Sequence, residues 1–255
     1  AINFYASLKE GGTLNKVLLI VSFSLAVVYA VFATGRTYFF MILAIYLGIS
    51  YLHKINFSLK KYAWVLLVFI PVFIFMGMIY GKGGDTESSF KDNLDASSET
   101  TSIYLVSSIN ALDYEVRHNV KANYPGANTL LFFVKIGQRL NLIPERKVGS
   151  LLSEFVFIPY PTNVFTFYSP YIRDYGKLYA WLMIALFGAL HTWIYHKAVK
   201  AKNLRNTLYY SFLLYPLLMS FFQDQYMSLF STWLQLAFYT EVFLALNYLF
   251  VSRKR

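Results

Sequence analysis

Six apolar runs, separated by polar segments, set the pattern of this chain: Val17–Ala33, Thr37–Leu52, Tyr62–Tyr80, Leu178–Tyr195, Thr207–Phe222 and Leu229–Val251. A helix that crosses a bilayer needs roughly 17–25 predominantly apolar residues. The second and fifth runs are short, so they are expected to extend by a turn into their flanks. Lipid offers no partner for backbone N–H and C=O groups, so such runs are helical. The predicted fold is an all-α, polytopic membrane helix bundle. Three spans come first, then a large external segment from Gly81 to Lys177, then three more spans. Residues 1–255 read as a single integral membrane domain.

The external segment has a pattern of its own. Gly81–Thr100 is polar and reads as a mobile loop. Its GKGGD lacks the spacing of a phosphate loop. Ile103, Val106, Ile109, Leu112 and Val116 recur at helical spacing, which predicts a surface helix with Asp113, Arg117 and His118 near its end. Tyr124–Gly126 breaks the chain. Asn128–Leu142 is apolar but carries Lys135 and Arg139, and at that length it reads as interfacial or re-entrant. Pro144, Pro159, Pro161 and Pro170 keep Glu145–Tyr175 from forming one long helix.

Charge placement orients the spans. Hydrophobic residues make up 57% of the chain and the net charge is +10. Twelve of the 23 basic residues cluster at Lys9 and Lys16, at Lys54, Lys60 and Lys61, at Lys197–Arg205, and at Arg253–Arg255. These clusters fall on every second inter-helix connection. The positive-inside rule puts them in the cytoplasm, with both termini. The long segment, with ten basic and ten acidic residues, lies outside and is neutral. The basic surplus is therefore an orientation signal, and the clustered basic face of a nucleic-acid site is missing. Cysteine is absent, which excludes disulfides and thiolate metal sites. Tyr and Trp near helix ends read mostly as an interfacial belt. The first run is too long for a signal peptide and has no cleavage site after it. The chain begins with Ala, so a processed protein or the later part of a longer one is expected.

The residues able to carry chemistry are mostly external. Arg36, in the corner between the first two spans, is either a snorkelling anchor or a ligand for a lipid diphosphate. Arg117, Arg139, Arg146 and Arg173 supply further guanidinium groups, each readable as plain surface charge unless folding makes them converge. Asp174, Asp113, Glu115 and Glu154 are the external carboxylates that a hydroxyl acceptor's proton needs nearby. For Asp174 a local salt bridge is the simpler reading. His53 and His196 lie at the cytoplasmic edge and His191 deep in the fourth span, so His118 is the sole external histidine. Glu241, near the middle of the last span, reads as a buried hydrogen bond or a proton relay. No DxD, GxSxG or metal-ligand spacing occurs, so no metal or other cofactor is expected.

Pro161–Gly176 (PTNVFTFYSPYIRDYG) resembles the bacterial oligosaccharide repeat-unit polymerases, the Wzy-type O-antigen and capsule polymerases. Pro161, Asn163, Val164, Thr166, Asp174, Tyr175 and Gly176 carry the likeness, and Gly35–Thr37 (GRT) resembles the family's small-residue–Arg–Thr signature. The resemblance implies a lipid-diphosphate-dependent glycosyltransferase at the outer face of the bacterial cytoplasmic membrane. The growing glycan would leave undecaprenyl diphosphate for a hydroxyl of an incoming lipid-linked repeat unit. Arg36 would contact the diphosphate, with Arg117, Arg139 and Arg173 as further ligands. Asn163, Asp174 and Tyr175 would shape the sugar site, and Asp174 and His118 are the candidate catalytic groups. Implied partners are the lipid-linked donor and acceptor, membrane lipids, a chain-length regulator and a flippase. Members of that family usually have about twice as many spans as six, so the chain would be a C-terminal portion. The His–Asn pairing of the related O-antigen ligases is missing, since Thr162 precedes Asn163. Three rivals remain open: a flippase or transporter working through Gln235, Glu241 and Asn247, an O-antigen ligase-like transferase, and an assembly subunit without chemistry.

Overall fold

The computed structural model describes residues 1–9, 11–32, 36–54, 106–144, 155–158 and 161–252. The predicted span Tyr62–Tyr80, the loop Gly81–Thr100, Ile103, Arg146, Glu154 and Pro159 lie outside the described residues. The chain divides into two compact units, one of residues 1–103 and 197–215, the other of residues 104–196 and 216–255.

The first unit opens with a helix that the apolar pattern does not predict, α1 (Ile2–Lys9). Its aromatic residues hold it in place. Phe4 stacks on Tyr46 at 3.9 Å, and Tyr5 meets His53 edge-on at 5.0 Å. The Tyr5 hydroxyl also donates to the Lys202 carbonyl at 3.3 Å. Gly11 and Gly12, at φ 64° and 84°, form the turn into α2 (Thr13–Phe32). Only glycine enters that region without a Cβ penalty. α2 packs on α3 (Arg36–Leu52) through Val27, Ala30, Phe39 and Ile42. Gly48 of α3 lies against Ser211, where a Cβ would come within 2.8 Å of the Ser211 Cα. Small residues let membrane helices approach at this range.

The second unit carries the proline-broken segment. Residues 106–118 are helical (α4), as the spacing of Val106, Ile109, Leu112 and Val116 predicts. Helix α5 (Leu131–Arg139) occupies the middle of the expected interfacial run. The all-α expectation needs one addition. Strands β1 (Val156–Phe157) and β2 (Pro161–Thr162) pair antiparallel, with Val156 opposite Thr162. The proline at 161, with no N–H to give a helix, favours an extended backbone. Helix α6 (Tyr168–Tyr175) follows and stops at Gly176, φ 83°, and α7 (Lys177–Ala201) begins at once.

The chain entering α6 lies back along α7. Phe167 and Tyr171 pack on Phe187 at 5.5 and 6.0 Å between rings. Tyr226 packs on Phe187 at 4.4 Å, and its hydroxyl shares a 2.6 Å hydrogen bond with His191 Nε2. His191 lies about 21 Å along α7 from Lys177, at 1.5 Å per residue.

Two helices are long and apolar enough to cross a membrane, α2 through Thr13–Ala30 and α7. Almost none of either apolar stretch is buried within the protein. Leu14, Ile20 and Leu25 of α2 and Leu178, Trp181 and Leu186 of α7 are exposed. Apolar surface of that extent fits a hydrocarbon surround. Helix α3 is apolar but has 17 residues. Helix α8 (Leu204–Leu218) has 15 residues, contains Pro216, and ends short of the expected Phe222. Helix α9 (Phe230–Ser252) has 23 residues and carries Glu241 half-buried. The six-span count therefore stands as an expectation beyond the two helices that meet both criteria among the described residues.

Candidate functional site

The second unit's charged side chains meet around α6. Arg173 and Asp174 are adjacent on it but face different partners. The Arg173 guanidinium pairs with Glu115 of α4 through Nη2 and lies over the Phe165 ring at 4.6 Å. Glu115 is 2% exposed, and its other oxygen accepts from the Ser169 hydroxyl at 2.5 Å. Burial lowers the affinity of the Arg173 guanidinium for its proton, with Asp174 acting in the opposite direction. Arginine remains cationic under such shifts. Its Nε is buried without a hydrogen-bond partner.

Asp174 ties α6 to the turn at Asn128–Thr129. Its carboxylate accepts from the Asn128 N–H at 3.1 Å and the Thr129 N–H at 2.8 Å. It also accepts from the Asn128 side-chain amide and the Thr129 hydroxyl, both at 2.7 Å. The Thr129 hydroxyl in turn meets the Tyr175 hydroxyl at 3.0 Å. A carboxylate so engaged holds the Tyr124–Leu130 turn in place. The salt bridge expected for Asp174 is not what the structure shows. Backbone and amide groups satisfy this carboxylate, and it is Glu115 that neutralises Arg173.

Two cavities adjoin these residues. A cleft of about 610 Å³ is lined by Lys121, Arg173, Asp174, Tyr175, Lys177 and Tyr179, among others. It lies at the first turn of α7. A small cavity of about 50 Å³ is lined by Asn128, Asn163, Phe165, Ser169, Arg173 and Asp224, among others. Arg173 lines both.

Asp224 is the residue that sequence reasoning overlooked. It is 5% exposed in the connection between α8 and α9. Its Oδ1 accepts from the Tyr226 N–H at 2.9 Å and, more weakly, from the Met227 N–H and the Tyr171 hydroxyl, both at 3.5 Å. Burial pushes its carboxyl up from 3.8 to about 6, against the pull of these donors and of Ser228. The Tyr171 and Tyr226 phenols are pushed up as well, by burial and then by the Asp224 charge, so they stay neutral. A signal was available. Only Glu10, Asp224 and Glu241 lie outside the long external segment among 13 acidic residues. A lone Asp in a short loop, however, reads by default as a solvated charge.

Arg117, His118 and Arg139 do not line these cavities. Arg117 pairs with Asp113 on the exposed face of α4, its side chain 74% accessible. His118 lies on the same helix, stacked on Tyr114 at 4.1 Å with Nδ1 2.8 Å from the Tyr114 carbonyl. Arg139 is exposed in the last turn of α5. None of the three lines either cavity. Arg36 opens α3 in the first unit, and its side chain lies outside the described part of the structure. Asn163 shares the small cavity with Asp224 and Arg173, and Tyr175 lines the cleft.

The chain is 23% identical over 229 residues to a protein of Escherichia coli K12 named "Putative O-antigen polymerase", matching 90% of this chain and 54% of that protein. It is 28% identical over 206 residues to the O-antigen polymerase of Shigella dysenteriae, matching 80% of this chain and 50% of the relative. The chain resembles O-antigen polymerases. It spans about half the length of the curated relatives it matches. No family model matches it, and no solved structure does.

Proposed function

We propose that the protein polymerises lipid-diphosphate-linked oligosaccharide repeat units into O-antigen, acting in the bacterial inner membrane as a multi-pass glycosyltransferase with both ends of this chain in the cytoplasm. The observation that carries the reading is the cleft at the start of α7. It brings Arg173, Lys121 and Lys177 together at the end of an exposed apolar helix. The two acidic groups on its wall, Glu115 and Asp174, are already engaged. A lipid-carried diphosphate presents its charge at that level of a bilayer, and its hydrocarbon chain runs beside the span. The names of the two relatives support the same reading.

In this reading the glycan on one lipid diphosphate is transferred to a hydroxyl of the next lipid-linked unit. The anomeric C–O bond to the diphosphate breaks, and a new C–O bond forms to the acceptor oxygen. Positive groups fixed in place lower the barrier by stabilising charge as it develops on the leaving diphosphate. Arg173, part-buried and held by Glu115 and Phe165, is the group assigned to that role. Asp174 positions α6 against the Asn128–Thr129 turn. A chain-length regulator and a flippase are the expected partners.

The test is complementation of a strain lacking the gene, with surface polysaccharide read as a ladder on a gel. Arg173→Ala should leave single repeat units in place of the ladder, and Arg173→Lys should retain shortened chains. A full ladder from Arg173→Ala at normal protein level would sink the reading.

A further inference from the structure

We infer that Asp224 is the general base that takes the proton from the acceptor hydroxyl, and that the small cavity beside it is the seat of that hydroxyl. The inference rests on the polymerase reading and adds to it the proton acceptor, which neither Asp174 nor His118 supplies. Asp174 has both oxygens committed to Asn128 and Thr129. His118 lines neither cavity.

Geometry selects Asp224. It is the carboxylate on the wall of the small cavity, whose volume of about 50 Å³ has room for a hydroxyl group or a water. The other lining groups, Asn128, Asn163, Ser169, Gln223 and Ser228, supply donors and acceptors that can orient a sugar hydroxyl. Arg173 closes the wall shared with the larger cleft. The acceptor oxygen and the leaving diphosphate thus have adjoining compartments. Attack by the acceptor oxygen on the anomeric carbon forms the new C–O bond. The proton passes to the Asp224 carboxylate, and the diphosphate leaves with the electron pair of the broken C–O bond.

The surroundings suit the task. Tyr171 from α6 and Tyr226 from the same loop face Asp224, and burial keeps both phenols neutral. Arg173 from α6 carries the nearest positive charge on the cavity wall, offset by Glu115 of α4. From α7, His191 shares a hydrogen bond with the Tyr226 hydroxyl, whereas Asp224 accepts from the Tyr226 backbone N–H. Burial, with no ion pair to Asp224 among the described residues, pushes the carboxyl up to about 6, where it is ionised at neutral pH yet basic enough to accept a proton.

A purely structural Asp224 would cap the loop through Oδ1, and asparagine would serve equally well. That difference makes the inference testable. The full-length protein in lipid nanodiscs is given a lipid-diphosphate repeat unit, and the elongation rate is followed from about pH 5 to about pH 8. Wild type should rise through about pH 6 and level off. Asp224→Asn should lose about 100-fold or more in kcat, with KM for the lipid substrate little changed and the residual rate independent of pH. Asp224→Glu should recover part of the loss. A ladder from Asp224→Asn near the wild-type rate, with the pH inflection retained, would overturn the assignment and leave the polymerase reading intact. So would a wild-type profile without an inflection, whether or not the Asn variant folds. Wild type that builds no polymer at all would remove both.

Discussion

Arg173, part-buried, and Glu115, buried, form an ion pair that joins α6 to α4, with Ser169 completing the carboxylate's bonding. Burying either charge alone is costly, and removal of one partner from such a pair typically costs about 3–5 kcal/mol. Glu115→Ala should therefore lower the thermal midpoint of the purified protein in detergent sharply and cut activity with it. Asp113→Ala, which breaks the exposed pair with Arg117 on the same helix, should leave the midpoint nearly unchanged. Equal shifts from both variants would show that the Glu115 pair carries no special weight.

Asp174→Ala should destabilise the second unit. The N–H groups of Asn128 and Thr129 would lose their acceptor. Each unmet buried donor costs about 1–3 kcal/mol. Asp174→Asn keeps one acceptor oxygen and should lie between wild type and Ala. Protease sensitivity near residues 124–130 is a direct readout, and a turn left as protected in Asp174→Ala as in wild type would refute the tethering role.

Asp224 should oppose folding as it ionises. Its folded-state value is raised from 3.8 to about 6, so the folded state holds the proton more tightly than the unfolded one. The resulting stability is full below the unfolded value and is lost as pH rises through the folded value. Thermal melts should show wild type losing ground to Asp224→Asn between about pH 4 and about pH 6, and at neutral pH the Asn variant should be at least as stable. An Asn variant that melts well below wild type at neutral pH would mean that the charge is compensated in the fold.

His118→Ala and Arg117→Ala should both retain the polysaccharide ladder at normal length. These side chains lie on the exposed side of α4 and reach neither cavity. Loss of the ladder from His118→Ala, with protein level unchanged, would return the histidine to the catalytic set.

Gly48→Leu should reduce insertion or accumulation of the protein in the first unit's absence of room. An added Cβ would already lie 2.7 Å from the Ser211 Oγ and 2.8 Å from its Cα, and backbone cannot yield as a flexible side chain does. Membrane levels of Gly48→Leu equal to wild type would show that α3 and α8 can separate at little cost.

Local signals alone were enough for α2, α4 and α7. Long apolar runs announced α2 and α7, helical spacing announced α4, and Pro161 marked extended backbone ahead of α6. These readings depend on neighbours along the chain and on the solvent, and both are written in residue order. The identity of α1 was hidden, because its reason to be helical is contact with Tyr46, His53 and Lys202, all distant in sequence.

The site divided along the same line. Arg173, Asp174, Asn163 and Tyr175 could be named from residue type and the Pro161–Gly176 resemblance, whereas their roles could not. Only the fold committed Asp174 to the Asn128–Thr129 turn, gave Arg173 to Glu115, and brought Asp224 from a short loop onto the wall of the Asn163 cavity. Arg117 and His118, as plausible in sequence as any of these, were left on an exposed helix face. Residue order determines which stretches prefer lipid and which side chains can hold charge. Which charges are paired, buried or left facing a cavity depends on groups dozens of residues apart, and only tertiary packing sets those distances.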